Sequence, residues 1–223
     1  RVIWASCMVA CGDADGAVTG NTRRFGASLE KIKQVVKARP GEIMFGLNLV
    51  VHKGKTIFVG DTSVHEYPNA QQLSEIAISS ARVVRLFGFD PKVAFVSHST
   101  FGQPLTSRTK HIKEAVEILK NKKVDFEFDG DMQPDVALDE EYKNLYPFSK
   151  IVGNANILVM PGQHSAAISY KMMKTLGDTK VIGPLLIGLG LPIEIAPLRS
   201  STSEIINLAS IAAYSADIID YKN

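Results

Sequence analysis

Ser97-His98-Ser99-Thr100-Phe101-Gly102 gathers three hydroxyls and a glycine into one short run. Placed after a strand and before a helix, such hydroxyls and backbone N–H groups can hold a phosphate or a carbonyl oxygen. Ordinary turn chemistry accounts for the same residue types, so both readings stand. Arg199 offers a second candidate, in the Ser/Thr-rich run Arg199-Ser200-Ser201-Thr202-Ser203 at a helix entrance. A guanidinium among hydroxyls and N–H groups suits a phosphate or pyrophosphate. The alternative is a helix-capping box in which Ser201 or Thr202 closes on Glu204. In Pro161-Gly162-Gln163-His164-Ser165 the His and Ser are adjacent, which ill suits a base and its nucleophile. His164 is therefore read as a helix-start residue.

An acidic run, Asp125, Glu127, Asp129, Asp131 and Asp135, is the remaining candidate. Strand alternation puts Asp125 and Glu127 on one solvated face. A magnesium ion at Asp129 and Asp131 would need further converging oxygens. Arg23, Arg24, Lys31 and Lys33 read as a solvated helix face. Neither GxGxxG nor a Walker pattern is present.

Strands and helices must position these residues, and they alternate along the chain. Leu29, Ile32, Val35 and Val36 recur at helical spacing after Ser28. Residues 42–51 and 55–60 read as strands joined by a hairpin turn at His52-Lys53-Gly54. Asn69 is expected to cap a helix that carries Leu73, Ile76, Ala77, Val83 and Val84 and ends at Gly88. A strand over 92–97, a helix over 107–119 and a strand over 124–128 follow. The stretch 134–149 reads as polar and irregular, with at most one helical turn. Beyond it come a strand over 156–160, a helix over 164–176, strands over 181–187 and 192–196, and a closing helix over 202–219. This order predicts an α/β fold, a three-layer αβα sandwich with a mostly parallel sheet. In such folds ligands sit beyond the carboxyl ends of the strands, where the Ser97 and Arg199 runs fall.

Composition sets the outer limits. The 223 residues carry 25 basic and 23 acidic side chains, a net charge of +2, with 45% hydrophobic and 22% charged residues. That is enough apolar surface for a packed core. A balance so near neutral argues against nucleic-acid binding, which needs a basic stripe. Cys7 and Cys11 cannot make a disulfide framework, lack partners for a zinc site, and read as buried thiols in a reducing, cytoplasmic compartment. No apolar run approaches the roughly 18 residues of a membrane span, so no membrane partner is expected. A sequence that starts at Arg1 and enters Val-Ile-Trp-Ala-Ser directly reads as a segment of a longer chain.

Several motifs, in order over nearly the whole chain, resemble the phosphate acetyltransferase/butyryltransferase family. Asp61-Thr62-Ser63-Val64 followed by Pro68-Asn69-Ala70-Gln71-Gln72-Leu73-Ser74-Glu75-Ile76-Ala77 is similar to its DxAVNPxPxAEQLAEIA pattern. Pro91-Lys92-Val93-Ala94 with Ser99-Thr100, Asp129-Gly130-Asp131-Met132-Gln133, Gly153 to Leu158, and Gly183-Pro184-Leu185-Leu186 with Gly188-Leu189 extend the match. A narrower resemblance is to the C-terminal domain of bacterial multidomain NADP-dependent malic enzymes. It rests on Asp13 to Gly16, Thr19-Gly20 with Thr22-Arg23, Ser99 to Gly102, Asp125 to Gly130, Tyr146-Pro147-Phe148 and Pro161 with His164-Ser165-Ala166. The implied fold is phosphotransacetylase-like with two lobes, residues 1–101 and 102–189, and a segment 190–223 returning to the first.

Against the active family's pattern the sequence departs where charge matters. A Ser-Arg pair expected before the last helix reads Pro197-Leu198, and the following Asp reads Glu204. An Arg expected in the TLRPAL-like helix reads Glu30, and the cation expected after Ser99-Thr100 reads Phe101. Arg199 could slide by one residue to stand in for Leu198. Cationic clamps on developing charge are worth about 3 kcal/mol each, so these losses predict little transferase activity.

The resemblance therefore implies a non-catalytic domain that binds acetyl-CoA as an inhibitor. Ser99, Thr100, Gly102, Arg199, Ser200 and Ser201 are its expected contacts, with Arg108 and Lys171 as further phosphate partners. It also implies an N-terminal malic enzyme domain in the same chain, where NADP and a divalent metal would act, and a homo-oligomer. No cofactor or metal is expected in this segment. Two alternatives remain: a purely structural assembly module, favoured by the apolar closing helix over 208–219, and an active phosphate acetyltransferase.

Overall fold

Asn69 caps its helix as the sequence demands. Its side chain accepts the Gln72 N–H at 2.9 Å while the Gln72 side chain accepts the Asn69 N–H at 2.9 Å. This reciprocal pair satisfies two donors that the first helical turn leaves open. The helix runs Ala70–Leu86 and ends before Gly88, whose φ of 82° few other residues adopt.

The computed structural model describes residues 1–104 and 106–218; the side chains of Ser107, Arg108 and Ile218 lie outside the described residues. In chain order the elements are α1 Val2–Cys11, β1 Ala17–Gly20, α2 Phe25–Ile32, β2 Phe45–His52, β3 Lys55–Gly60, α3 Ala70–Leu86, β4 Lys92–Val96 and α4 Ser107–Lys122. There follow β5 Glu127–Met132, α5 Pro134–Leu138, α6 Glu140–Lys143, β6 Ile157–Val159, α7 Gln163–Leu176, β7 Thr179–Ile187, β8 Ile193–Ala196 and α8 Thr202–Ile218. Two compact units result, Arg1–Asn48 with Ile182–Asn223, and Leu49–Val181.

In the unit Leu49–Val181 the strands lie in the order β5-β4-β6-β3, continued by that unit's portions of β2 and β7. β4 pairs in parallel with β5 and β6, and β6 with β3. The side chains alternate between two cores, as the strand period requires. Val59, Ala94, Val96, Leu158 and Met160 pack with Val136 and Ala137 of α5 and Ala166 of α7. The intervening Phe58, Phe95 and Ile157 are fully buried, and the Phe58 ring meets Phe87 and Phe89 beyond the end of α3. The parallel α/β sandwich read from the sequence is the observed architecture. β2 and β3 join through Lys53 and Gly54, both at positive φ, the backbone of a tight hairpin turn.

In the other unit β1 pairs in parallel with β8, with Val18 opposite Glu194, and α1, α2 and α8 pack around them. Ile32, Leu29, Ile193, Ile195 and Leu208 are buried there.

Four local expectations give way. α1 and β1 were not foreseen. α1 is apolar all round, so no stripe announces it, and it leaves Cys11 exposed and Cys7 half-buried rather than both buried. The strand expected over 124–128 begins only at Glu127. Its sequence Glu-Phe-Asp-Gly-Asp-Met is poor in strand formers, and its acidic groups are held by internal partners. The irregular stretch over 134–149 holds two short helices, α5 and α6.

Candidate functional site

Gly130 makes the first feature of the site possible. A Cβ there would stand 2.7 Å from the Phe95 Cβ, so only glycine lets β5 pass this close to β4. The ladder then slips, with Phe95 opposite Gly130 but Val96 opposite Met132. Asp131 is the extra residue, and such a bulge re-aims a side chain. The Ser99 hydroxyl donates to Asp131 Oδ2, and Ser97 Oγ lies 3.1 Å from Ser99 Oγ. With the Ser99 proton spent on the carboxyl, the Ser97 hydroxyl is the donor in that contact. Asp131 is fully buried, and its Oδ1 has no hydrogen-bond partner among the described residues.

The backbone of the same loop is equally committed. Phe101 N–H donates to Asp131 O at 2.6 Å, Thr100 N–H to Gln103 O, and Gln103 N–H to Thr100 O. Gln133 N–H donates to Thr100 Oγ1 at 3.3 Å. Ser99 and Thr100 are buried. The loop that the sequence marks for an anion is therefore a rigid platform whose inner polar groups are paired within the protein. Gly102, at a φ of 85°, has Lys113 Nζ lying across its Cα; a side chain at 102 would collide with it.

Phe101 takes its place in an aromatic cluster. Its ring centroid lies 4.8 Å from that of Phe148 and 5.6 Å from that of Tyr146. The position where the active family's pattern expects a cation thus presents a ring.

Lys171 lies on α7 in the same unit, its ammonium 5.9 Å from the Tyr170 ring. Burial pushes the Tyr170 hydroxyl above its usual pKa. The Arg108 side chain lies outside the described residues. At the end of β3, Asp61 is fully buried and accepts N–H groups of Ser63, Val64 and His65 as well as His65 Nδ1 at 2.7 Å. His164 opens α7, 3.2 Å from Glu66, while Ser165 Oγ donates to Gly162 O. The two side chains do not act on each other.

Arg199, Ser200 and Ser201 belong to the other unit. Arg199 sits at a φ of 61°, its N–H donating to Asn21 O at 3.1 Å, and its side chain is exposed. Ser200 Oγ donates to Pro197 O at 2.9 Å. Ser201 and Glu204 form the capping box: Ser201 N–H and Oγ donate to Glu204 Oε2 at 2.7 and 2.9 Å, and Glu204 N–H donates back to Ser201 Oγ. Leu198 is exposed, and Glu30 on α2 pairs with Lys33. Glu194, which no motif singles out, is buried in β8. Burial pushes its carboxyl up to about 8 against the pull of the Leu186 N–H, 2.9 Å from Oε2.

The acidic run dissolves into separate partnerships. Asp125 pairs with Arg85 at 3.0 Å, Glu127 accepts Val152 N–H, and Asp129 accepts the N–H groups of Gly130 and Lys150. Among the described residues no cluster of three or more His, Cys, Asp or Glu could hold a metal ion. No helix among the described residues is long and apolar enough to cross a membrane.

Sequence reasoning missed Asp131 as the loop's anchor and Lys113 as its cationic neighbour. The Gly130-Asp131 pair within a strand was the available signal for the first, since glycine there marks a bulge or a close approach.

Known proteins place these features in a family. The chain is 45% identical over 213 residues to the NADP-dependent malic enzyme of Rhizobium meliloti (strain 1021), covering 96% of this chain and 28% of that relative. It is 31% identical over 208 residues to the phosphate acetyltransferase of Buchnera aphidicola subsp. Schizaphis graminum (strain Sg), covering 92% and 29%. The chain thus spans less than a third of the curated relatives it matches. A phosphotransacetylase from Streptococcus pyogenes shares the fold at a TM-score of 0.89 and 32% identity, covering 96% of this chain and 67% of that chain. The phosphate acetyl/butaryl transferase family model matches residues 1–213, and the chain belongs to that family.

Proposed function

We propose that this chain is a non-catalytic regulatory and oligomerisation domain of an NADP-dependent malic enzyme, with acetyl-CoA as its inhibitor. Phe101 carries the reading. An acyl transfer to phosphate develops negative charge, and a cation aimed at that charge is what lowers the barrier. Here the ring of Phe101, fixed by Tyr146 and Phe148, stands in the strand-end loop instead. Pro197-Leu198 and Glu30 remove further positive charge from positions the active family's pattern assigns to it. The relatedness to malic enzymes supports the parent activity, oxidative decarboxylation of malate to pyruvate. NADP and the divalent metal would then belong to a malic enzyme portion outside these 223 residues.

The test uses the full-length protein. Malate-dependent NADP reduction is followed while acetyl-CoA, CoA and acetyl phosphate are titrated. Inhibition by acetyl-CoA and not by acetyl phosphate is expected, together with no phosphate-dependent release of CoA. Release of CoA at rates near ordinary turnover, about 10 per second, would establish an active acetyltransferase instead.

One observation favours a purely structural assembly module as the second reading. Ile168, Met172 and Leu176 follow one another at four-residue spacing on α7, and all are exposed, Leu176 by 82%. α8 adds less than its composition led us to expect: Leu208 and Ala212 are buried, and Ile206 and Tyr214 remain outside. Unaltered assembly after Met172→Glu would count against the assembly reading, and indifference of the wild-type protein to acetyl-CoA against the regulatory one.

A further inference from the structure

We propose that a pocket at the β5 edge of the unit Leu49–Val181 binds a phosphorylated aromatic ligand of the nucleoside-phosphate class. Its ring would stack on Phe148, and its phosphate would be held by Lys113 and Lys150. The cavity measures about 270 Å³, near the lower end of small-molecule sites, and suits a base with its phosphate rather than a whole cofactor. It is walled by one face of α4, by Asp129 and Gly130 of β5, and by the loop that carries Phe148 and Lys150.

Three arguments meet there. Phe148 is 65% exposed yet supported edge-on by Phe101 at 4.8 Å and 64°, so a large ring is held firmly with a face left to water. A supported, exposed aromatic face is what a planar ligand stacks on. Second, the lining is net positive: Lys113, Lys120 and Lys150 stand against Glu117, which is paired with Lys120, and Asp129, which keeps its negative charge while accepting two backbone N–H groups. Lys113 and Lys150 remain, with no carboxylate in ion-pair reach among the described residues. Third, Lys113, though exposed, reaches the strand-end loop. Its ammonium lies across Gly102, at a position that any side chain at 102 would occupy. Glycine at 102 thus keeps open the place where Lys113 meets the strand-end loop.

Lys113, Glu117 and Lys120 recur at helical spacing, and Phe101 and Phe148 come from two separate loops. A free nucleotide and the adenosine end of a coenzyme A thioester share the required chemistry. The inference does not rest on acetyl-CoA being an inhibitor.

Calorimetric titration of the full-length protein tests it, and the Phe148 and Lys113 variants separate this pocket from any NADP site elsewhere in the chain. AMP, adenosine 3′,5′-bisphosphate, acetyl-CoA and inorganic phosphate are compared on wild type, Phe148→Ala and Lys113→Gln. At least one adenine ligand is expected to bind, and each substitution to weaken it about 10-fold, within the range measured for base–aromatic stacking. Preference for AMP would identify a free nucleotide, and preference for the bisphosphate and acetyl-CoA the coenzyme end. No adenine binding, an affinity untouched by either substitution, or inorganic phosphate binding as tightly as the nucleotides would overturn the proposal. Inhibition of malate oxidation is read separately, so the regulatory reading can fail while this one stands, and the reverse.

Discussion

Each unit buries a carboxyl group in its strands, and the two are treated differently. Asp131 is thrust out of register by a bulge and receives a hydroxyl, which fixes the loop carrying Ser97, Ser99 and Thr100. Glu194 lies in a regular parallel pairing opposite Val18 and receives one backbone N–H from Leu186. The loops beyond them differ in the same sense. The Ser97–Gln103 loop is tied to its strands by hydrogen bonds and lies beside a pocket whose lining is net positive. The Pro197–Ser201 loop spends its serines on a turn and on the start of α8, and leaves Arg199 outside. Polar residues near strand ends therefore do two kinds of work: they tie down a loop beside a pocket in one unit and terminate elements in the other.

The largest expected effect is on Glu194. Its carboxyl titrates near 8 in the folded protein against 4.5 when free, so folding favours the protonated form. Between those values the folded chain holds a proton that the unfolded chain has released. Stability is therefore greatest below about pH 4.5 with respect to this group and declines as pH rises toward 8. Its share of that decline is about 5 kcal/mol. Glu194→Gln should flatten the slope, read from denaturation midpoints between pH 5 and 8. An unchanged slope would mean that the carboxyl is ionised at no unusual cost.

Asp131→Ala comes next, at about 2 kcal/mol, because the Ser99 hydroxyl loses its buried acceptor. Removal of the unpartnered Oδ1 offsets part of the loss. The comparison sharpens if exchange of the Phe101 and Gln133 amide protons also speeds up, since both amides donate into this junction. Unfolding that shifts without faster exchange there would make Asp131 a core residue with no hold on the loop.

What the sequence disclosed follows the same division. α3 was legible because its cap, stripe and terminating glycine agree, and α7 because its start and apolar spacing do. β5 was misplaced because strand reading looks for alternating apolar residues. In Glu127–Met132 the decisive features are a glycine against Phe95 and two buried acids. α1 escaped because Ile3, Trp4 and Met8 leave no polar face to set off the buried Val2, Ser6 and Val9. The Ser97 run was visible as a strand-end loop, but its partner Asp131 lies 32 residues on and is reached only through the β4–β5 pairing. Lys113 looked like any lysine on an amphipathic helix. Only the chain reversal between β4 and α4 lays it across Gly102.

The smallest effect discriminates best between the two loops. Ser201→Ala removes the hydroxyl that accepts the Glu204 N–H and donates to the Glu204 carboxyl. Loss of a cap of this kind costs about 1 kcal/mol. If Ser201 serves only the helix, that cost appears in thermal unfolding and the affinity for acetyl-CoA stays within about twofold of wild type, well under 1.4 kcal/mol. Ser201→Asp supplies the decisive control, because aspartate is also a good cap. It should restore the stability of α8, while a negative charge in a phosphate pocket would repel the ligand. Recovery of stability with unchanged affinity assigns the Arg199–Ser201 run to structure alone. Recovery of stability with a sharp loss of affinity would return that run to the ligand and erase the contrast between the units.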